Sequence, residues 1–349
     1  MVGAGVTGCA CALRLAEAGV RVRLHEARAV AGGASGRNGG FALRGAAVPY
    51  DRAVAALGLE RARDLMRLTE AGLDRLEALA GDAFHRVGSL RLAAGGTELD
   101  ALRAEHDALA ADGFAVEWMA SLPEPLDRLY RGGILHPTDG TIHPARWVRR
   151  LAAHAAAAGA EIVEHAPIGV DEAAHVADAI VVATDGFTAD ALPELAALVV
   201  PTRGQVLVTE PLPELRYGRP HYARGGYDYW HQLPDARLVL GGQRDASIAT
   251  EATAEETTTP LIQARLEELA EGLAGATVRV THRWAGIWGT TPDALPLVGR
   301  VPGREGVWIA AGYSGHGNVL GLVCGTLAAD AVLGEEREQR SLFDPARFG

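Results

Sequence analysis

A chain of 349 residues with 33 arginines, no lysine, 44 acidic side chains and a formal charge of −11 exceeds the usual size of one hydrophobic core. It offers no concentrated basic face for nucleic acid and no apolar run near the roughly 18 to 20 residues of a membrane span. Nor is a secretory leader legible, so a cytoplasmic protein of two domains is the expectation. Without lysine, Schiff-base chemistry and a lysine general base are excluded.

In chain order, the first feature is a glycine-rich turn, "VGAGVTG" at 2–8, which puts Gly3, Gly5 and Gly8 ahead of a helix. Residues 9–18 are small and aliphatic and end at Gly19, after which "VRVRLHE" alternates as a strand ending on Glu26. Cys9, Cys11 and Cys324 are a sparse, odd set and read as small buried residues rather than a disulfide framework. "ASGRNGG" at 34–40 reads as a loop. Leu57, Leu65, Leu68, Leu73, Leu76 and Leu79 recur at helical spacing and predict one long or two shorter helices over 51–80.

A strand is predicted at 87–94, a helix at 98–111, a turn-rich crossing at 136–144 and a helix from Pro144 to 158. "ADAIVVATDG" at 177–186 carries the short, nearly continuous apolar run of a strand buried on both faces in a parallel sheet. From 201 to 280 strand-like runs dominate: "GQVLVTE", then "GYDYWHQL" and "RLVLGG" joined by the turn "PDA". A helix at 260–272 precedes "TVRVTHRW". "VWIAAGYSGHGN" then leads into a helix at 319–333, apolar almost all round and closed by Gly334.

Gly3, Gly5 and Gly8 allow a tight turn, close approach of backbone N–H groups to a pyrophosphate, and close packing of the helix whose N-terminus favours the negative charge. Glu26, at the end of the next strand, is placed to accept from ribose hydroxyls. Such a unit needs a strand of roughly five to six residues before the glycines. Here only Met1 and Val2 precede them, so the first strand is expected to be largely missing, through a late start in the reading frame or in a truncated relative.

Further segments extend the pattern: "GASGRNGGF" at 33–41, "DGTIHPAR" at 139–146, "VVATDGFT" at 181–188, "PTRGQV" at 201–206 and "YDYWHQLPDARLVLGG" at 227–242. With "TTPDALPLVG" and "GYSGHG" between 290 and 317, they make the chain resemble the FAD-dependent D-amino acid oxidase, glycine oxidase and sarcosine oxidase (DAO) superfamily. Within it, the chain is similar to the gamma-glutamylputrescine oxidase-like branch. The resemblance implies an α/β fold in which a Rossmann-like FAD-binding domain (1–80, 135–200 and 286–349) is interleaved with an α+β substrate domain. That second domain, a mixed β-sheet, is expected from 81–134 and 201–285. Ala34, Ser35, Arg37, Asn38 and Gly39 would lie along the flavin, and Thr184 and Gly186 would meet the dinucleotide through backbone. Gly312, Gly315, His316, Gly317 and Asn318 would face the N1 and C2=O edge, where charge gathers on reduction. Some members attach flavin through a Cys before the segment matching "TTPD"; none stands there, so non-covalent FAD is expected.

If "GYDYWHQL" is a strand, Tyr227, Tyr229 and His231 share one face and Asp228, Trp230 and Gln232 the other, and one face lines the substrate pocket. Tyr229, His231, His316 and Arg44 are the candidate catalytic side chains. His316 reads either as a cation beside the flavin or as a loop residue bonded to backbone. Arg44 follows the flavin loop near where sarcosine oxidase-like enzymes hold a substrate carboxylate, and Arg203 is a comparable candidate. The histidines and Asp139 of "HPTDGTIHP" suit turns and caps, and no metal is expected.

The chemistry implied by the resemblance is hydride transfer from the carbon bearing an amine to flavin N5, giving an imine that water hydrolyses. The substrate is an amine or amino acid, and electrons pass to oxygen, yielding hydrogen peroxide, or to another acceptor. The oxygen-activating lysine of sarcosine oxidase-like members has no counterpart, which leaves dehydrogenase behaviour open. A truncated, non-catalytic flavoprotein-like paralogue is the alternative reading.

Overall fold

The structure is a computed structural model that describes every residue except Glu336 and Gly349. The first of its two architectures is a parallel arrangement around Val2, drawn from both ends of the chain. Strand Arg23–His25 pairs in parallel with Glu161–Val163, and Ile180–Val182 pairs in parallel with Val307–Ala311. Val2 bridges both pairs, to His25 on one side and Val182 on the other. Four backbone bonds hold it: His25 N–H to Met1 O, Gly3 N–H to His25 O, Val2 N–H to Val181 O and Ala183 N–H to Val2 O. Met1–Gly3 therefore occupies the central position of this sheet. Leu297–Arg300 adds an antiparallel strand at the far side of Val307–Ala311.

The turn after Val2 works by close approach. Gly3 has φ +98°, and a Cβ on Gly8 would stand 1.9 Å from Gly3 O, so only glycine lets the helix Val6–Glu17 start against the strand end. That helix is buried along most of its length and packs on the C-terminal helix Gly317–Val332. Thr7 Oγ1 donates to Tyr313 Oη at 2.8 Å, tying the two ends of the chain together. All three cysteines lie inside these two helices, buried, with their thiols pushed up by desolvation, Cys9 and Cys11 to about 12.

Residues 51–80 form two helices, Tyr50–Leu57 and Leu59–Ala80, broken at Gly58, whose φ is +84°. The 34–40 segment is not a loop throughout. Ala34–Arg37 is one helical turn, closed by the Asn38 amide, which donates to Ala34 O and Ser35 O. The turn-rich crossing also contains a strand, Gly140–Ile142, paired with Phe41–Ala42 and Phe84–His85. Three residues are too few for alternation to show.

The second architecture is an eight-stranded mixed sheet. Its order runs from Val280–Thr290 through Val200–Pro211, Arg237–Gly242, Asp228–Gln232 and His221–Ala223 to Ser89–Ala93, Gly132–His136 and Glu117–Met119. Asp228–Gln232 and Arg237–Gly242 form the expected hairpin. Helix Pro260–Ala274 covers one face with Ile262, Leu266, Ala270 and Leu273, against Trp230 and Tyr217. Full burial of Ile262, Leu266 or Leu273 is worth about 1.5–3 kcal/mol each. Because Trp230 points into this core, its neighbour Tyr229 points out of the opposite face.

Candidate functional site

The glycine turn is surrounded by committed polar groups. Glu26 accepts from Ala4 N–H at 2.8 Å and from Arg28 N–H at 2.9 Å, which fixes its carboxylate against the turn. Ser35 Oγ accepts from Val6 N–H at 3.1 Å, at the start of the first helix, where Gly5 offers no side-chain cap. Arg28 and Arg37 converge on one carboxylate, Glu256, at 2.6 and 3.1 Å. Glu256 belongs to the segment joining two helices of the large-sheet half, so an ion pair bridges the halves beside the turn.

Beyond the turn lies a cavity of about 240 Å³. One wall is the Ala34–Gly39 segment with Phe41, and another is Tyr313–Val319 at the mouth of the C-terminal helix. The large sheet supplies Tyr222, Tyr229 and Trp288, and Arg244 follows its Arg237–Gly242 strand. The Trp288 ring lies over Gly204, a diagonal neighbour on the adjacent strand that lacks a side chain: a Cβ there would lie 2.1 Å from the indole ring. Asp185 completes the lining and accepts from Gly312 N–H at 2.9 Å, joining the "ATDG" and "GYSGHG" segments.

His316 caps the C-terminal helix without a side-chain bond, and its Nδ1 is buried with no partner among the described residues. Burial, reinforced by the charge of Arg91, pushes the imidazole down to about 4. The lowered value favours the neutral imidazole at pH 7, the second of the two readings, and the helix N-terminus adds positive potential beside it. His231 is likewise neutral, its pKa lowered by burial to about 4, and Nε2–H donates to Gly39 O at 2.9 Å. It stands behind the loop as a strut rather than on the cavity lining.

Of the sequence-selected residues, Ala34, Ser35, Arg37, Asn38 and Gly39 lie on the cavity, as do Tyr229 and Gly315, His316, Gly317 and Asn318. The Asn38 and Asn318 amides bond each other, at 3.1 and 3.3 Å, which couples the two walls. Gly312 and Gly186 sit one layer behind, around Asp185. Thr184 Oγ1 is buried without a protein partner among the described residues.

Arg44 lies elsewhere. Its guanidinium is buried and held by Glu70 (2.5 Å), Ala115 O (2.5 Å) and His136 Nδ1 (3.2 Å). It lines a separate, water-sized space of about 20 Å³ with Ser89, Glu105 and Asp139. Arg203 is also spoken for, making paired 2.9 Å bonds to Glu251. His143 caps helix Pro144–Ala157, accepting from Arg146 N–H.

Tyr222, Trp288, Asp185, Glu256 and Arg244 were not singled out from the sequence. Trp288 had a signal, since alternation along "WAGIWGT" puts it on one face with Gly286. The others had none, because their neighbours come from distant segments.

Asp185 yields a pH prediction. Burial raises its carboxyl from 3.8 to about 6, against the opposing pull of backbone N–H groups. A folded-state value above the unfolded one contributes stability that is fully present below 3.8 and lost as pH rises through 6. Asp185→Asn keeps the acceptor for Gly312 N–H and cannot ionise. Its stability advantage over the parent is expected to be near zero at pH 4 and to plateau above pH 6 at about 2–3 kcal/mol. Asp139 titrates in the same window in both proteins, so denaturant midpoints compared pairwise from pH 4 to 8 isolate Asp185. A pH-independent difference would refute the assignment.

A family model described as "DAO: FAD dependent oxidoreductase" matches residues 1–331. The probable oxidoreductase OrdL of Rhizobium meliloti (strain 1021) is 30% identical, over 97% of this chain and 83% of its own. The gamma-glutamylputrescine oxidoreductase of Escherichia coli (strain K12) is 27% identical, over 96% of this chain and 83% of its own. The crystal structure of glycine oxidase from Geobacillus kaustophilus superposes with a TM-score of 0.77 at 24% identity, covering 100% of this chain and 96% of that one, a likeness of fold.

Proposed function

The chain belongs to the DAO family of FAD-dependent oxidoreductases, and from that premise we propose that it oxidises the C–N bond of an amine or amino acid. The observation that carries the reading is the convergence of the Ala34–Phe41 and Tyr313–Val319 segments, nearly three hundred positions apart, on one cavity to which the large sheet adds Tyr222, Tyr229 and Trp288.

The residues present fit FAD. The Gly3–Gly8 turn has no room for a Cβ, and the helix after it starts without a cap from Gly5. Buried Thr184 Oγ1 and His316 Nδ1 lack protein partners among the described residues. Gly3, Gly5 and Gly8 would hold the pyrophosphate. Glu26 would hold the ribose, since a carboxylate has about four acceptor sites and two are used. Ala34, Ser35, Arg37, Asn38 and Gly39 would flank the ring, and Gly315 to Asn318, backed by Gly312, would meet its pyrimidine edge. The cofactor is held without a covalent bond, a reading supported by the burial of every cysteine inside two helices. Two hydrophobic cores support the proposed division into an FAD-binding part (1–80, 135–200, 286–349) and a substrate-binding part (81–134, 201–285), apart from Ala83 and Phe84, which join the first core.

The chemistry that bound FAD supplies is two-electron acceptance, hydride leaving the carbon that bears the amine and the electrons passing on to oxygen, as peroxide, or to another acceptor. This chain's residues set the conditions. The start of helix Gly317–Val332 lends up to about 2 kcal/mol to a nearby negative charge, and neutral His316 adds no charge of its own. Tyr222, Tyr229 and Trp288 exclude water and favour the neutral amine over the ammonium. Tyr229 is the side chain placed to touch substrate.

Purified protein is expected to be yellow, to release FAD on acid precipitation, and to bleach anaerobically with members of a panel of polyamines, N-methyl amino acids and D-amino acids. Peroxide formed on readmitting air distinguishes oxidase from dehydrogenase. Protein loaded with FAD that no amine bleaches would defeat the proposal.

A further inference from the structure

We propose that Arg347 is a positioning residue of the cavity: through the turn at 291–295 it holds the 313–318 wall in place, and with it the potential of the flavin bound there. The inference rests on the reading of the cavity as the flavin site, and it adds a residue from beyond the matched stretch 1–331.

The segment after helix Gly317–Val332 folds back on strand Leu297–Arg300. Phe343 is fully buried, and its carbonyl accepts from Val298 N–H at 2.7 Å, so the seat of this segment does not depend on Arg347. Arg347 reaches past that seat to the turn. Its Nε and Nη2 donate to the two Asp293 oxygens at 2.7 and 3.1 Å, and Nη2 also donates to Leu295 O at 2.9 Å. The carboxylate so held accepts from Leu295 N–H at 3.1 Å, and Leu295 O takes a second bond, from Thr291 Oγ1, at 2.8 Å. A planar fork that meets a carboxylate and a carbonyl together leaves the turn one arrangement.

The same turn supports the wall. Thr291 N–H donates to Ser314 Oγ at 3.3 Å, Ser314 N–H donates to Gly289 O at 2.9 Å, and a Cβ on Gly312 would stand 2.4 Å from the Thr291 methyl. Ser314 is on the cavity lining. Its φ is +51°, and that of Ala294, in the turn, is +60°. Residues other than glycine keep such backbone only where their surroundings fix it, and here the fixing contacts run from Ser314 to Thr291, Leu295 and Arg347. Slack in that chain reaches the first N–H groups of helix Gly317–Val332, whose positive end favours negative charge and so the reduced flavin over the oxidised.

The test compares Arg347→Met, Arg347→Lys and Asp293→Asn with the parent in two readings: redox titration of the bound flavin, and amide hydrogen exchange of the protein as purified. Arg347→Met is expected to hold reduced flavin about tenfold less tightly relative to oxidised, a midpoint about 30 mV lower for a two-electron couple. Exchange over 312–318 should quicken about tenfold while that of the hairpin at 228–242 stays as in the parent. Arg347→Lys, which keeps the charge and loses the fork, and Asp293→Asn, which keeps an acceptor for Leu295 N–H, should move both readings the same way by less. These two keep the test available if the methionine variant folds poorly. An unchanged midpoint, unchanged exchange over 312–318, or equal quickening in the hairpin would overturn the proposal. A parent that takes up no flavin would instead remove the proposed redox function, and the exchange comparison would still decide whether Arg347 fixes the wall.

Discussion

Gly8→Ala is expected to yield protein with less than about a tenth of the parent's FAD content, read as the ratio of flavin to protein absorbance. The added Cβ would stand 1.9 Å from Gly3 O, and neither partner can yield cheaply. Gly3 is held by its N–H bond to His25 O, and Gly8 lies in a helix already wedged between the parallel strands and the C-terminal helix. Relief requires the helix to lift off the strand end, which swings its first N–H groups away from where a pyrophosphate would meet them. Overpacking ordinarily costs about 1–3 kcal/mol, and a backbone-to-backbone clash belongs at or above the top of that range. Gly19→Ala is the control. Gly19 also has positive φ, +79°, but nothing lies within 4 Å of its Cβ position. It should lose about 1 kcal/mol of stability and no FAD. A Gly8→Ala protein with a full complement of flavin would show that the glycine turn is not the dinucleotide site.

Arg203→Met is expected to lower stability by about 3–5 kcal/mol, the largest loss from any single side chain considered, measured by denaturant unfolding at pH 7. The side chains of Arg203 and Glu251 are 3% and 1% exposed, and the guanidinium also donates to Thr250 O and Glu255 O. Methionine fills similar volume but leaves the Glu251 carboxylate buried with only the Gln205 amide beside it. Pairing the change with Glu251→Gln removes the stranded charge and should recover more than half of the loss. The ion pair also anchors the segment that carries Glu256 to Arg28 and Arg37, so the single variant should lose FAD faster than the parent. Equal stability of the parent and the single variant would rule out this account of Arg203.

The three arginines show how far the sequence reaches. Arg44, Arg203 and Arg244 look alike along the chain, each within two residues of a glycine and each short of an acidic partner at helical spacing. Glu70 approaches Arg44 from helix Leu59–Ala80, and Glu251 reaches Arg203 from a segment nearly fifty positions away. A sequence window has no access to such partners, so it could not separate two internally neutralised arginines from Arg244, whose guanidinium lies against the Tyr227 and Trp288 rings. His316 is a parallel case: the residue is conspicuous in "GYSGHG", but the lowering of its pKa comes from burial and from Arg91, a residue of the distant Ser89–Ala93 strand.

What the chain determines by itself is whatever depends on near neighbours. The Gly3–Gly8 turn, the helix that follows it, the Asp228–Gly242 hairpin and the apolar C-terminal helix are written in steric rules and periodicities that act within a few residues. Tertiary structure decided the downward pKa shifts of His231 and His316 and the choice of Tyr229 over Trp230 as the outward ring. It also decided the assignment of each arginine to a carboxylate or to none. Those outcomes depend on desolvation and on pairing between distant segments, and neither quantity exists until the chain has folded.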